Sequence, residues 1–173
     1  QYDTASAAES MFTVIAGEMS NLKFTDITIN NGTRSGTNFG LIATNQGKIE
    51  NCEFENIKLV GYQATNVGMI GTNTGNVKNV QLKDIDVSVS ATSIYVGGLI
   101  GYSTGNVSQI TAEGNPVNNT LPAKEPAESS FTYRVSAPNS NNVGGIIGAS
   151  KTALTDLSIK GAYVNGYDYV GGI

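Results

Sequence analysis

The chain has 173 residues, ten basic and fourteen acidic side chains, and a net charge of −4. Its lysines are scattered, so the basic footprint of a nucleic-acid binder is missing. Histidine and tryptophan are absent and Cys52 is the single cysteine, which excludes an internal disulfide framework, a His-Glu-x-x-His zinc site and a Ser-His-Asp triad. No apolar run approaches the ~20 residues that span a bilayer, and Gln1-Tyr-Asp-Thr4 lacks the features of a signal peptide. Membrane insertion is therefore not expected, and any export signal lies outside this chain. The abundance of Asn, Gly, Ser and Thr suits an exported bacterial protein, extracellular or attached to the cell wall.

Residues 1–9 read as an N-terminal extension, and a repeat array begins at Ser10. Ser10-Met-Phe-Thr13 and Gly17-Glu-Met19 form a degenerate first rung. A glycine-apolar block then recurs: Phe39-Gly-Leu-Ile-Ala43, Val67-Gly-Met-Ile-Gly71, Val96-Gly-Gly-Leu-Ile-Gly101, Val143-Gly-Gly-Ile-Ile-Gly148 and Val170-Gly-Gly-Ile173. Aligned on Gly40, Gly68, Gly98, Gly145 and Gly172, the spacings are 28, 30, 47 and 27. The chain is thus a single repeat array in which one rung carries an insertion. After each block comes a polar turn such as Thr44-Asn-Gln-Gly47, then a stretch such as Val77-Lys-Asn-Val80-Gln-Leu82-Lys-Asp-Ile85-Asp-Val87, whose apolar residues mostly alternate with polar ones. Leu22, Cys52, Val80, Ile110 and Leu157 share one column, and Ile29, Leu59, Val87, Val117 and Val164 another. Units that bury one face by stacking, with β periodicity and no helical segment, predict an all-β parallel β-helix of about five rungs, ~24 Å long.

In-register stacking makes a prediction about charge. At offsets of one period Glu18 meets Lys48, Lys23 meets Glu53, Glu50 meets Lys78 and Lys58 meets Asp86, while the column Thr25, Glu55, Lys83, Glu113, Lys160 alternates in sign. No like charges adjoin in this register. Each exposed pair is worth only ~0.2–1 kcal/mol, so the pairs specify register more than they stabilise.

Val96-Gly-Gly-Leu-Ile-Gly101 followed by Gly105-Asn-Val107, with Val143-Gly-Gly-Ile-Ile-Gly148 close behind, resembles the GLUG repeat family. Ala43 replaces the last glycine of one rung, and the first rung lacks the motif. Such repeats occur in bacterial surface adhesins and as non-catalytic β-helical segments of IgA-type zinc metallopeptidases. The resemblance implies an adhesive or stalk scaffold or, alternatively, a substrate-positioning or spacer segment of such a peptidase, with the active site outside this chain. A host glycoprotein or surface glycan is the partner expected.

The residues themselves offer few sites. Cys52 falls in an inward column and reads as core. The turns lack the carboxylates of calcium β-rolls, so no metal or cofactor is expected, and stacked Asn45 and Asn73 predict a hydrogen-bonded ladder. The row begun by Thr44 and Thr72 is interrupted by Tyr102. Asp84 and Asp86 flank Ile85 and are expected on one outward face. That spacing matches an inverting glycosidase and makes them weak catalytic candidates for a polysaccharide-active enzyme; the alternative is that Asp86 answers Lys58 and Asp84 is solvated. The period breaks at about 118–140, and all four prolines, Pro116, Pro122, Pro126 and Pro138, lie in or beside this stretch. A loop of that length is a candidate recognition element, with Lys124, Phe131, Tyr133 and Arg134 as binding residues. The last rung presents unpaired strand edges, so the array is expected to continue in a parent protein or to be covered by another subunit, with end-to-end self-association as one consequence.

Overall fold

The computed structural model describes residues 10–115 and 132–173. Among them every regular element is a strand, and the strands stack in parallel as a β-solenoid of about five turns. The first turn holds β1 (Phe12–Ile15), β2 (Glu18–Ser20), β3 (Lys23–Asn30) and β4 (Ser35–Phe39). The second holds β5 (Ile42–Asn45), β6 (Lys48–Gly61) and β7 (Gln63–Val67), and the third β8 (Ile70–Asn73), β9 (Asn76–Val89) and β10 (Tyr95–Gly97). The fourth holds β11 (Ile100–Ser103), β12 (Asn106–Glu113) and β13 (Tyr133–Gly144), and the fifth β14 (Ile147–Ser150), β15 (Leu154–Lys160) and β16 (Ala162–Gly171). One wall is the five-stranded sheet β1-β5-β8-β11-β14, and the remaining strands make a second, eleven-stranded sheet that wraps around the corners.

The register follows the repeat. Cys52, Val80, Ile110 and Leu157 stack in one column. Cys52 is buried, with its Sγ 3.3 Å from the Glu50 carbonyl oxygen. Leu22, at the end of that column, is 45% exposed, because a rung covers it on one side only. A second core column runs Ile29, Leu59, Val87, Val135, Val164. Val135, not Val117, fills the fourth place. At the first turn the core is aromatic: Phe24 stacks on Phe54 with centroids 5.3 Å apart, and Phe12 meets Phe24 edge-on at 6.2 Å.

Polar ladders run parallel to the core. Asn45 Nδ2 donates to Asn73 Oδ1 at 2.8 Å, and Asn73 Nδ2 donates to Ser103 Oγ at 3.0 Å, all three residues being buried. Each amide thus satisfies its neighbour where water does not reach. Outside, Lys23 pairs with Glu53 at 3.0 Å, Lys83 with Glu55 at 3.1 Å, Lys58 with Asp86 at 3.7 Å, Lys48 with Glu18 at 3.9 Å and Lys160 with Glu113 at 3.9 Å. Lys23 also reaches Glu55. One expected partner differs: Glu50 lies opposite Lys78 in the ladder but pairs at 2.9 Å with Lys48 of its own strand.

The pairing offset locates the insertion. It is 30 from Lys83 to Glu113 and 48 from Asp86 to Arg134. The extra residues therefore lie between Glu113 and Arg134, and 133–140, expected to be loop, is the first part of β13. By continuation of this register Tyr133 falls opposite Ile85 in the core. Its ring needs room that the rungs before it do not have, and glycine supplies it. A Cβ on Gly98 would lie 2.1 Å from the Tyr133 Oη, and one on Gly114 would lie 2.4 Å from the Tyr133 Cβ. The motif also gains a residue at Gly97-Gly98: Val67 and Ile70 are paired with Val96 and Ile100, which lie one residue further apart. The second glycine of Val96-Gly-Gly-Leu is thus tied to the tyrosine that follows the insertion.

Candidate functional site at the base of the insertion

Asp84 and Asp86 come together at a bend of the solenoid, and the bend explains them. Apolar residues in β6 and β9 do not alternate throughout: Ile49 to Cys52 and Phe54 to Ile57 are three apart, as are Val77 to Val80 and Leu82 to Ile85. At each slip one residue adopts left-handed backbone and turns the chain so that the next apolar side chain again points inward. The two columns of such residues are Asn21, Asn51, Asn79, Gln109, Asp156 and Asp26, Asn56, Asp84, with φ between 50° and 57°. Asn and Asp tolerate this conformation better than other side chains bearing a Cβ. By register Gly114 and Gly161 take the next two places, and of these Gly161 is left-handed at φ 63°.

These corners are cross-linked between rungs. Asn79 Nδ2 donates to Asn51 Oδ1 at 2.7 Å and Asn56 Nδ2 to Asp26 Oδ1 at 2.5 Å. Asp84 is therefore a corner residue, not one of two acids on a flat strand face, and its Oδ1 is buried without a hydrogen-bond partner. Asp86 accepts Arg134 Nε at 3.0 Å and Nη2 at 2.9 Å, and Ser88 Oγ at 3.0 Å, with Lys58 Nζ at 3.7 Å. A bidentate guanidinium contact occupies both carboxylate oxygens. Catalysis by paired acids needs one to donate a proton and the other to act as base toward the same space. Here one carboxylate is clamped and the other is folded into a corner.

The two acids, with Asp26, Asn56, Lys58 and Thr132, line a cleft of about 590 Å³. At its edge the insertion leaves and re-enters the solenoid. Asn115 N donates to Thr132 Oγ1 at 2.6 Å, and Thr132 N donates to the Asn115 carbonyl at 3.2 Å. Residues 116–131 are thus bracketed by a hydrogen-bonded pair, and two residues further on Arg134 anchors β13 to β9 through Asp86.

Of the four residues expected to bind from the loop, Lys124 and Phe131 lie outside the described residues. Tyr133 is corrected to the core: it is fully buried and its Oη donates to the Gly145 carbonyl at 2.7 Å. Burial pushes its phenol pKa well above the ordinary value. Arg134 is half-buried and serves as the Asp86 anchor. Both belong to β13 and not to the loop, because the strand resumes earlier than the period break suggests.

Along the charged column the Lys23 and Lys83 ammonium groups hydrogen-bond Glu55 and hold its carboxyl below the usual carboxylate range. The same bonds raise Lys23 and Lys83, the former chiefly through Glu55 and then Glu53. No described helix is long and apolar enough to cross a membrane. Comparison with family models, curated proteins and solved structures returns no match for this chain.

Proposed function

We propose that the chain is a non-catalytic β-solenoid segment of a secreted or cell-surface bacterial protein, a stalk whose 116–131 insertion is the contact with a host glycoprotein or surface glycan. The observation that carries this reading is the base of the insertion. The two ends are tied by Asn115 and Thr132, and the returning strand is fixed by the Arg134–Asp86 clamp and the buried Tyr133. A solenoid that needed no display element would close the rung between positions 115 and 132 directly, since those residues already hydrogen-bond each other. The regular inter-rung pairing of outward charges supports the scaffold part of the reading, because it assigns those charges to register. The resemblance of Val96-Gly-Gly-Leu-Ile-Gly101 to GLUG repeats of adhesins points the same way.

The test is a version in which a two-glycine link replaces residues 116–131. It should fold as the parent does, by circular dichroism and melting, and lose retention on immobilised mucin-type glycoprotein. Equal retention with and without the insertion overturns the display role.

A further inference from the structure

A second cleft lies on a different face, where the wall β4-β7-β10 meets the wall β5-β8-β11. Successive rungs place equivalent residues on either side of this furrow: Asn38, Asn66 and Tyr95 on one wall, and Thr44, Thr72 and Tyr102 on the other. In the first two rungs amides and hydroxyls bridge it, with Asn38 Nδ2 donating to Thr44 Oγ1 at 3.1 Å and Asn66 Nδ2 to Thr72 Oγ1 at 2.9 Å. In the third rung two partly exposed tyrosines replace them, with centroids 5.0 Å apart and planes tilted by 30°. The amide ladder therefore stops at Tyr95, and Asn66, only 7% exposed, is left with its Oδ1 unpartnered.

At its other end the furrow opens into a cavity of about 370 Å³ lined by Arg34, Ser35, Thr37, Asn38 and Thr44. Ser10 also lines it, and its Oγ is buried without a partner. Arg34 is exposed. Six of the other eight described cations sit against an acid, whereas Arg34, Lys78 and Lys151 have no ion pair among the described residues; Lys151 Nζ instead lies over the Tyr102 ring, 5.9 Å from its centroid, at the far end of the furrow. A cation without an anion, amides and hydroxyls along the floor, and tyrosine rings two rungs on form a graded surface. Guanidinium pairs bidentately with carboxylate, and an aromatic ring with a polar tip packs against a surface that is apolar on one side and hydroxylated on the other.

We propose that this furrow binds a carboxylate-bearing oligosaccharide, with Arg34 on the carboxylate at one end and Tyr95 and Tyr102 under a sugar several units further along. The site is separate from the insertion and shares with the display reading only the expectation of a glycan partner. The experiment titrates the whole chain with glucuronate-terminated and glucose-terminated forms of one oligosaccharide, by calorimetry. The acidic form should bind about ten- to hundredfold more tightly, the range of a charge-assisted contact. Arg34→Gln should erase that preference and Lys151→Gln should leave it, Tyr102→Ala should weaken both forms, and the two-glycine replacement of 116–131 should change neither. Melting curves of each variant establish that it is folded.

Absence of binding by either form overturns the proposal, as does an acid preference that survives Arg34→Gln. Equal affinity for a glutamate-rich peptide also overturns it, since the site would then read carboxylate alone. Saccharide binding that persists while retention on glycoprotein is unaffected by loss of the insertion would sink the display reading and leave the furrow standing.

Discussion

The corner at Asp84 and the furrow at Arg34 are polar clefts on the outside of one solenoid, and they treat their charges in opposite ways. At the corner Asp86 is answered by Arg134 and Lys58 from neighbouring rungs, and Asn56 ties itself to Asp26. In the furrow Arg34 faces a cavity with no acid among the described residues that line it. Stacking identical units answers most outward charges automatically, so a carboxylate pair is weak grounds for chemistry in such a fold. A charge that the register leaves unanswered is the more informative one.

The contrast breaks first where the corner depends on the core beneath it. Tyr133→Ala removes a fully buried ring and should cost about 3–5 kcal/mol in chemical denaturation, whereas Tyr133→Phe should cost only about 1 kcal/mol. The Gly145 carbonyl still accepts the Gly98 N–H at 3.2 Å in that variant. A comparable loss in both would mean that the hydroxyl, not the ring, holds the returning strand.

Asp86→Ala comes next. It leaves a half-buried guanidinium without its bidentate partner and should cost about 2 kcal/mol. A double-mutant cycle with Arg134→Ala measures the coupling, and a value near zero would remove the anchor from the account.

Glu55→Gln tests the charged column through its pH dependence. The folded carboxyl of Glu55 is lowered by Lys23 and Lys83, so its contribution is present above the unfolded value near 4.3 and is lost as pH falls through the lower folded value. Lys23 and Lys83 are raised, so their share is present below the unfolded value near 10.4 and is lost as pH rises through the folded value. Parent and Glu55→Gln should differ in stability at pH 7 and converge in acid. A difference that persists at pH 2 contradicts the ladder.

The smallest effects are expected at the two named charges. Asp84→Asn installs the side chain that Asn56 already uses in that column, and it should stay within about 0.5 kcal/mol of the parent. Arg34→Gln should likewise leave stability unchanged within about 0.5 kcal/mol. If Arg34→Gln destabilises by more, the residue has a structural partner and the contrast between the clefts fails. Turnover of an acidic polysaccharide by the parent that is lost in Asp84→Asn would reopen the enzymatic reading of the corner.

The sequence revealed the stacking more clearly than the bending. The Cys52–Val80–Ile110–Leu157 column, the sign-alternating column from Glu55 to Lys160 and the Asn45–Asn73 ladder were all legible, because parallel in-register stacking converts a sequence period directly into a contact. The corners were less so. The slip from two to three between Leu82 and Ile85 is visible in the sequence, yet it resembles noise in an alternating pattern until the left-handed Asp84 is seen to turn the chain. Asp84 and Asp86 line one cleft, but Asp84 sits on a left-handed corner and not beside Asp86 on a flat outward strand face. Spacing alone misplaces Tyr133 and Arg134 for a related reason: an insertion breaks the count, and the count does not say where stacking resumes.

By itself, then, the sequence determined the fold class, the period and, away from the insertion, which residues stack on which, since these depend on composition and spacing repeated along the chain. Tertiary structure decided where the rungs bend, where the insertion ends, which carboxylate is clamped and which described cations have no ion pair. Those outcomes depend on backbone conformation and on side chains brought together from different walls, and one-dimensional spacing does not carry that information.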